Sequence, residues 1–85
     1  MTGHPLTDLE RKLLLCLLLF YREYGPSATP ALKGLDEEAG IERHELEEAV
    51  KGLRSKGLIE YWQLQPAVRL TAPGLDLARR LDGGA

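Results

Sequence analysis

Residues 41–59 leave few folds open. Leu46, Ala49, Val50 and Leu53 recur at the i, i+3, i+4, i+7 spacing of one helical face, and Lys56-Gly57 supplies first a cation near the helix C-terminus and then a residue suited to the left-handed conformation. Leu58 and Ile59 follow at once with strand composition. A helix that stops at a glycine and runs directly into a strand is the frame from which the rest of the chain is read.

Upstream, Thr7 and Glu10 form a T-x-x-E capping box with Leu6 placed before it as a staple, and Gly25-Pro26 closes the helix that begins there. Leu9, Leu13, Cys16, Leu17, Phe20 and Tyr24 make its core stripe. Leu14, Leu15, Leu18 and Leu19 leave the middle of this helix with no polar side, which predicts a second partner for it and self-association through these four leucines. Thr29-Pro30 is a cap followed by proline at the first helical position, so a second helix is expected over residues 30–39, with Leu32, Leu35 and Ala39 inward. Gly40 supplies the tight turn into the third helix, which is helix-turn-helix punctuation. Beyond Gly57, residues 58–64 and 67–71 read as two strands around a Gln65-Pro66 turn, and Thr71 caps a last helix over residues 73–81. The expected class is mainly α with a small β-hairpin: a three-helix core, a two-stranded wing and a short C-terminal helix, in one domain over 7–81 between a flexible tail at 1–6 and a frayed end at 82–85.

Eighty-five residues hold one small core and little else. Cys16 has no second cysteine to pair with, which suits a reducing compartment, and the apolar run 13–21 is far shorter than the roughly 20 residues a membrane-spanning helix needs. Cytoplasmic localisation, no membrane partner and no signal peptide are therefore expected. There is no nucleophile elbow, phosphate-cradling glycine loop or Cys/His cluster, so no enzyme, cofactor or metal is expected. His44 reads as a solvent histidine, Cys16 as a small core hydrophobe, and Trp62 and Tyr61 as alternating inward and exposed on the first wing strand. Gly52 in mid-helix costs about 1 kcal/mol against alanine, which close approach of another backbone would explain.

The order of these signals, and in particular Ala39-Gly40-Ile41, Leu53-x-x-Lys56-Gly57-Leu58-Ile59 and Leu70-Thr71-x-x-Gly74, resembles the winged helix-turn-helix domains of small bacterial and archaeal transcription regulators of the multiple-antibiotic-resistance type. The resemblance implies a third helix that enters the DNA major groove and a wing that reaches flanking phosphates or the minor groove. Carried over, the groove-facing positions are Arg43, His44, Glu47, Glu48 and Lys51, with Gln63 and Gln65 near the wing tip.

Charge opposes part of that implication. Net charge is −2 with histidines counted as neutral, and Asp36, Glu37, Glu38, Glu42, Glu45, Glu47 and Glu48 stand against Arg43 and His44. Binding to duplex DNA rests on several Lys or Arg contacts to phosphate, and an acidic helix is repelled. The first-turn glutamates also have a bland explanation in the helix dipole, and Glu47 to Lys51 is a favourable i, i+4 pair. Two readings stay open. One is a small homodimeric DNA-binding regulator in which Arg43, Lys51, Arg54, Lys56 and Arg69 form a basic stripe. The other is a winged helix used for protein contact through its acidic third helix or leucine-rich first helix. The discriminator is where the cations gather in three dimensions.

Overall fold

Thr7 and Glu10 start the first helix as their spacing requires. The Thr7 hydroxyl accepts from the Glu10 N–H at 3.1 Å, and the Thr7 N–H donates to Glu10 Oε1 at 3.1 Å. The computed structural model describes residues 6–25 and 29–83. It carries α1 over Asp8–Tyr24 to Gly25, whose φ of +91° ends the helix. The remaining elements are α2 (Leu35–Ala39), α3 (Arg43–Ser55), β1 (Ile59–Trp62), β2 (Ala67–Leu70) and α4 (Ala72–Asp82). Buried side chains from all four helices and both strands join in one cluster, with α1 packed against α3 and α4.

The buried arc of α1 is wide. Cys16, Leu13, Leu17, Glu10, Leu14 and Leu18 cover about 200° of its circumference, more than one packing partner reaches. α3 takes one part, and α4 docks on the other, where Arg22 pairs with Asp82 at 2.7 Å and the Arg79 guanidinium lies 5.7 Å from the Tyr21 ring centre. This corrects the expected partner interface: Leu14 and Leu18 are covered within the chain, because α4 occupies the side that a three-helix core would leave bare. Leu15 is half-buried, and Leu19 alone of the four is exposed, at 61%.

The second helix is shorter than its sequence signals imply. Residues 30–32 do not start a helix at Pro30; they run beside the wing. The Leu32 N–H donates to the Pro66 carbonyl at 2.9 Å, the Val68 N–H donates to the Pro30 carbonyl at 3.1 Å, and Ala31 bridges Ala67. Pairing with β2 satisfies backbone groups that a helix beginning here would leave unpaired, and Gly34, at φ +86°, separates this stretch from α2. Gly40, at φ +74°, makes the expected corner into α3.

α3 buries Leu46, Ala49, Val50 and Leu53 as their periodicity predicts, and Gly57 at φ +73° turns the chain into β1. The wing is an antiparallel pair with Ile59 opposite Leu70 and Trp62 opposite Ala67. Thr71 then ties two loops together. Its Oγ1 donates to the Gly57 carbonyl at 2.7 Å and accepts from the Gly74 N–H at 3.1 Å, capping α4. Gly74 is required there, since a Cβ would lie 1.9 Å from the Leu58 carbonyl oxygen. At the chain ends, Leu6 packs half-buried against the core and α4 runs through Asp82, both beyond the expected domain limits. The rest of the expected tail, Pro26 and residues 84–85 lie outside the described residues. Among the described residues no helix is long and apolar enough to cross a membrane.

Gly52 faces a carboxylate, where the sequence predicted a backbone. Glu10 is 4% exposed, and its Oε1 accepts from Lys56 Nζ at 2.5 Å, while Oε2 would sit 1.8 Å from any Cβ at position 52. Cys16 is buried as expected, and desolvation, with a smaller contribution from the charge of Glu38, pushes its thiol from 9.0 to about 11.

Two outcomes follow from this core. Gly52→Ala should lower stability by about 2 kcal/mol although alanine favours a helix by about 1 kcal/mol, because the methyl expels Glu10 from Lys56. In a Glu10→Ala background the same change should stabilise. Urea midpoints of the wild type and the three variants read the reversal; equal destabilisation in both backgrounds would disprove the coupling. For Cys16, the folded state holds its proton to higher pH than the unfolded chain, so its contribution to stability is intact below pH 9.0 and is lost as pH rises towards about 11. Stability of the wild type should fall more steeply over that range than that of Cys16→Ala.

Candidate nucleic-acid interface

Successive residues of an α-helix are about 100° apart, which places Arg43, Arg54, Glu47 and Lys51 within about 80° of the circumference of α3. That sector adjoins the wing. Arg43 and Glu47 line a groove with Lys33, Leu32, Tyr61 and Pro66, and Glu47 and Lys51 line its continuation along Val50, with Tyr61 again in the floor. Arg54 lines the next hollow, beside Tyr61 and the wing tip, and its guanidinium lies 5.6 Å from the Tyr61 ring centre. Tyr61 thus runs under the whole stripe, half-buried on β1.

The cations of this stripe are unneutralised by close partners. Among the described residues, Lys33, Arg43, Lys51 and Arg54 take part in none of the ion pairs, which join Arg22 to Asp82, Lys56 to Glu10, Arg69 to Glu60 and Arg80 to Asp76. The Glu47–Lys51 pair expected from spacing is not formed. Lys56 leaves the expected basic stripe altogether, since its ammonium turns inward to Glu10. Arg69 leaves it too: it lies across the hairpin from Glu60, pairs with it at 2.7 Å, and sits 5.4 Å from the Trp62 ring centre.

The carboxylates are dispersed by the same geometry. Glu45 is used in the first turn of α3, where its carboxylate accepts the Glu42 N–H at 2.9 Å. Glu38 lies on the α1 side, lining a hollow with Cys16, Leu19 and Phe20. Only Glu47, of the seven acidic residues between 36 and 48, lines the grooves beside the wing. His44 and Glu48 are exposed but line neither groove. Gln63 and Gln65 are exposed on the wing turn around Leu64, which is 99% exposed, and the turn itself carries no charge.

Of the residues singled out in the sequence, the fold therefore brings together Arg43, Glu47, Lys51 and Arg54, places Gln63 and Gln65 at the far end of the same side, and pairs Arg69 elsewhere; His44 and Glu48, about 20° and 60° beyond Lys51 on the helical circumference, border the stripe without lining its grooves. Lys33 and Tyr61 belong to the groove but were not singled out for it. Lys33 reaches it because residues 30–32 run along the wing, and no periodicity signals that.

No family model and no curated protein matches the chain. Among solved structures, a MarR family regulator from Neisseria meningitidis is similar over 85% of this chain and 52% of its own, with a TM-score of 0.62 and 21% identity. The chain spans about half the length of that structure. The likeness establishes the fold: four helices and an antiparallel hairpin arranged as a winged helix-turn-helix.

Proposed function

We propose that this chain is a small, non-catalytic transcriptional regulator that binds duplex DNA through α3 and the adjoining wing. The observation that carries the reading is the sorting of charge. Lys33, Arg43, Lys51 and Arg54 line the hollows on the wing side of α3, where Glu47 is the one acidic lining residue, so a locally cationic strip persists on a chain whose net charge is −2. Likeness in fold to a MarR family regulator supports it. The competing reading, protein contact through the acidic third helix or the leucine-rich first, is less favoured because Glu38 lies on the α1 side, Glu45 is hydrogen-bonded in the first turn of α3, and Leu14 and Leu18 are buried. The regulator acts as a homodimer, with the second copy meeting the edge of α1 that Leu15 and Leu19 leave open.

Titration against one random duplex at two salt concentrations tests the interface. Arg43→Ala, Lys51→Ala and Arg54→Ala should each weaken binding and flatten the salt slope by about 0.9. Glu47→Gln should strengthen it, and Glu48→Gln, off the stripe, should do so less. No salt-dependent binding by any of these proteins would refute the proposal. For assembly, sedimentation at tens of micromolar should show a dimer that Leu19→Glu converts to a folded monomer; a wild-type monomer at that concentration rules out the homodimer.

A further inference from the structure

The exposed edge of α1 is bipolar. Leu15, Leu19, Lys12 and Glu23 fall within about 80° of its circumference. Arg11 and Lys12 stand at one end of this edge and Glu23 at the other, with the two leucines between them. Asp8 precedes them in the first turn, where the helix dipole favours an anion. Beside the acidic end, Cys16, Leu19, Phe20 and Tyr24 line a hollow of about 200 Å³ that also takes in Glu23 and, from α2, Glu38. Leu19 and Tyr24 are 61% and 69% exposed there, with the Phe20 and Tyr24 ring centres 5.7 Å apart. Among the described residues, Lys12, Glu23 and Glu38 join none of the ion pairs.

An apolar floor beside two carboxylates fits the aliphatic stem and ammonium of a lysine. α1 itself presents one at the matching place. When two copies of a helix face each other antiparallel about a two-fold axis, a residue before the centre lies opposite the residue equally far after it, on the same flank of the contact. The midpoint of Lys12 and Glu23 and the midpoint of Leu15 and Leu19 coincide to about half a residue, so one centre near Leu17 pairs the charges and sets the leucines side by side. We infer that a second copy lays its α1 antiparallel on this edge and seats its Lys12 in the hollow between Glu23 and Glu38. Symmetry repeats the contact, so each dimer holds two. On the opposite flank Arg11 meets Arg22 of the second copy, whose charge Asp82 already balances. A parallel pairing would instead set Lys12 against Lys12 and Glu23 against Glu23. The inference rests on the homodimer proposed above and adds its direction and the residues that enforce it.

Reversing the charges tests the seating on the full chain, with the dimer dissociation constant read by sedimentation at low salt. Lys12→Glu and Glu23→Lys, each made alone, place like charges in both contacts and should weaken the dimer about tenfold. Glu38→Gln should weaken it about threefold. The double variant carrying both reversals should dimerise as the wild type does. An equimolar mixture of the two single variants should form heterodimers, counted by native mass spectrometry. All three side chains are exposed, so the circular dichroism of every variant should match that of the wild type. A wild-type dimer that neither single reversal weakens, as a parallel pairing requires, would overturn the antiparallel seating and leave the homodimer standing. Weakening that neither the double variant nor the mixture reverses would overturn it as well. A wild-type monomer at tens of micromolar overturns both, and the duplex titration reads the DNA interface independently of either.

Discussion

A buried ion pair holds the two ends of this architecture in register. Glu10 sits in the first turn of α1 and Lys56 at the C-cap of α3, and their contact at 2.5 Å, with side chains 6% and 20% exposed, crosses the chain from one helix start to another helix end. Burial makes such a pair costly to form and more costly to break, because removing one partner leaves a charge with little access to water. Glu10 also accepts the Thr7 N–H, so one carboxylate caps α1 and anchors α3 together. Gly52 gives the space for that carboxylate. Displacing it would disturb the exit of α3, and with it the orientation of the wing.

From that exit a second constraint follows directly. Gly57 turns the chain, Thr71 donates to its carbonyl, and Gly74 lets α4 approach Leu58. The beginning of β1 and the end of β2 are thereby clamped at one point, and the hairpin projects from it as a short lever beside α3. Residues 30–32 brace the other edge through two backbone hydrogen bonds. The grooves that hold Arg43, Lys51 and Arg54 are the space between this braced hairpin and the helix, so their shape is a consequence of backbone pairing and loop capping.

Most of the fold was legible because its signals are local. The Thr7–Glu10 box, the stripe Leu46, Ala49, Val50, Leu53, and the glycines at 40 and 57 act within a few residues, and the structure uses each as expected. What escaped the sequence was settled by contacts distant along the chain. Pro30 looks like a helix start, but its carbonyl is taken by Val68. Leu14 and Leu18 look like surplus apolar surface until α4 is placed against Tyr21 and Arg22. Gly52 did carry a signal, since a glycine in an otherwise well-formed helix implies close approach, but the approaching group is a carboxylate supplied from 42 residues away. The candidate site was legible in type and only partly in membership: Arg43, Lys51 and Arg54 lie where helical spacing puts them, whereas Lys56 and Arg69 were lost to ion pairs that one sequence does not reveal.

Net charge and the acidic run between residues 36 and 48 do not by themselves set the charge of any one face. A charge acts over a distance comparable to the Debye length, about 8 Å at physiological salt, so what a bound polyanion feels is set by which groups share a face. Helical geometry moves Glu48 off the stripe, first-turn hydrogen bonding occupies Glu45, and Glu38 lies on the α1 side of α2. The inward turn of Lys56 removes a cation from the surface but takes Glu10 with it, which leaves the balance near α3 unchanged and fixes the helix that carries the remaining cations. The buried pair and the exposed stripe are therefore linked: the first anchors α3, the helix from which Arg43, Lys51 and Arg54 project without ion-pair partners of their own, while Lys33 joins them from the segment braced along the wing.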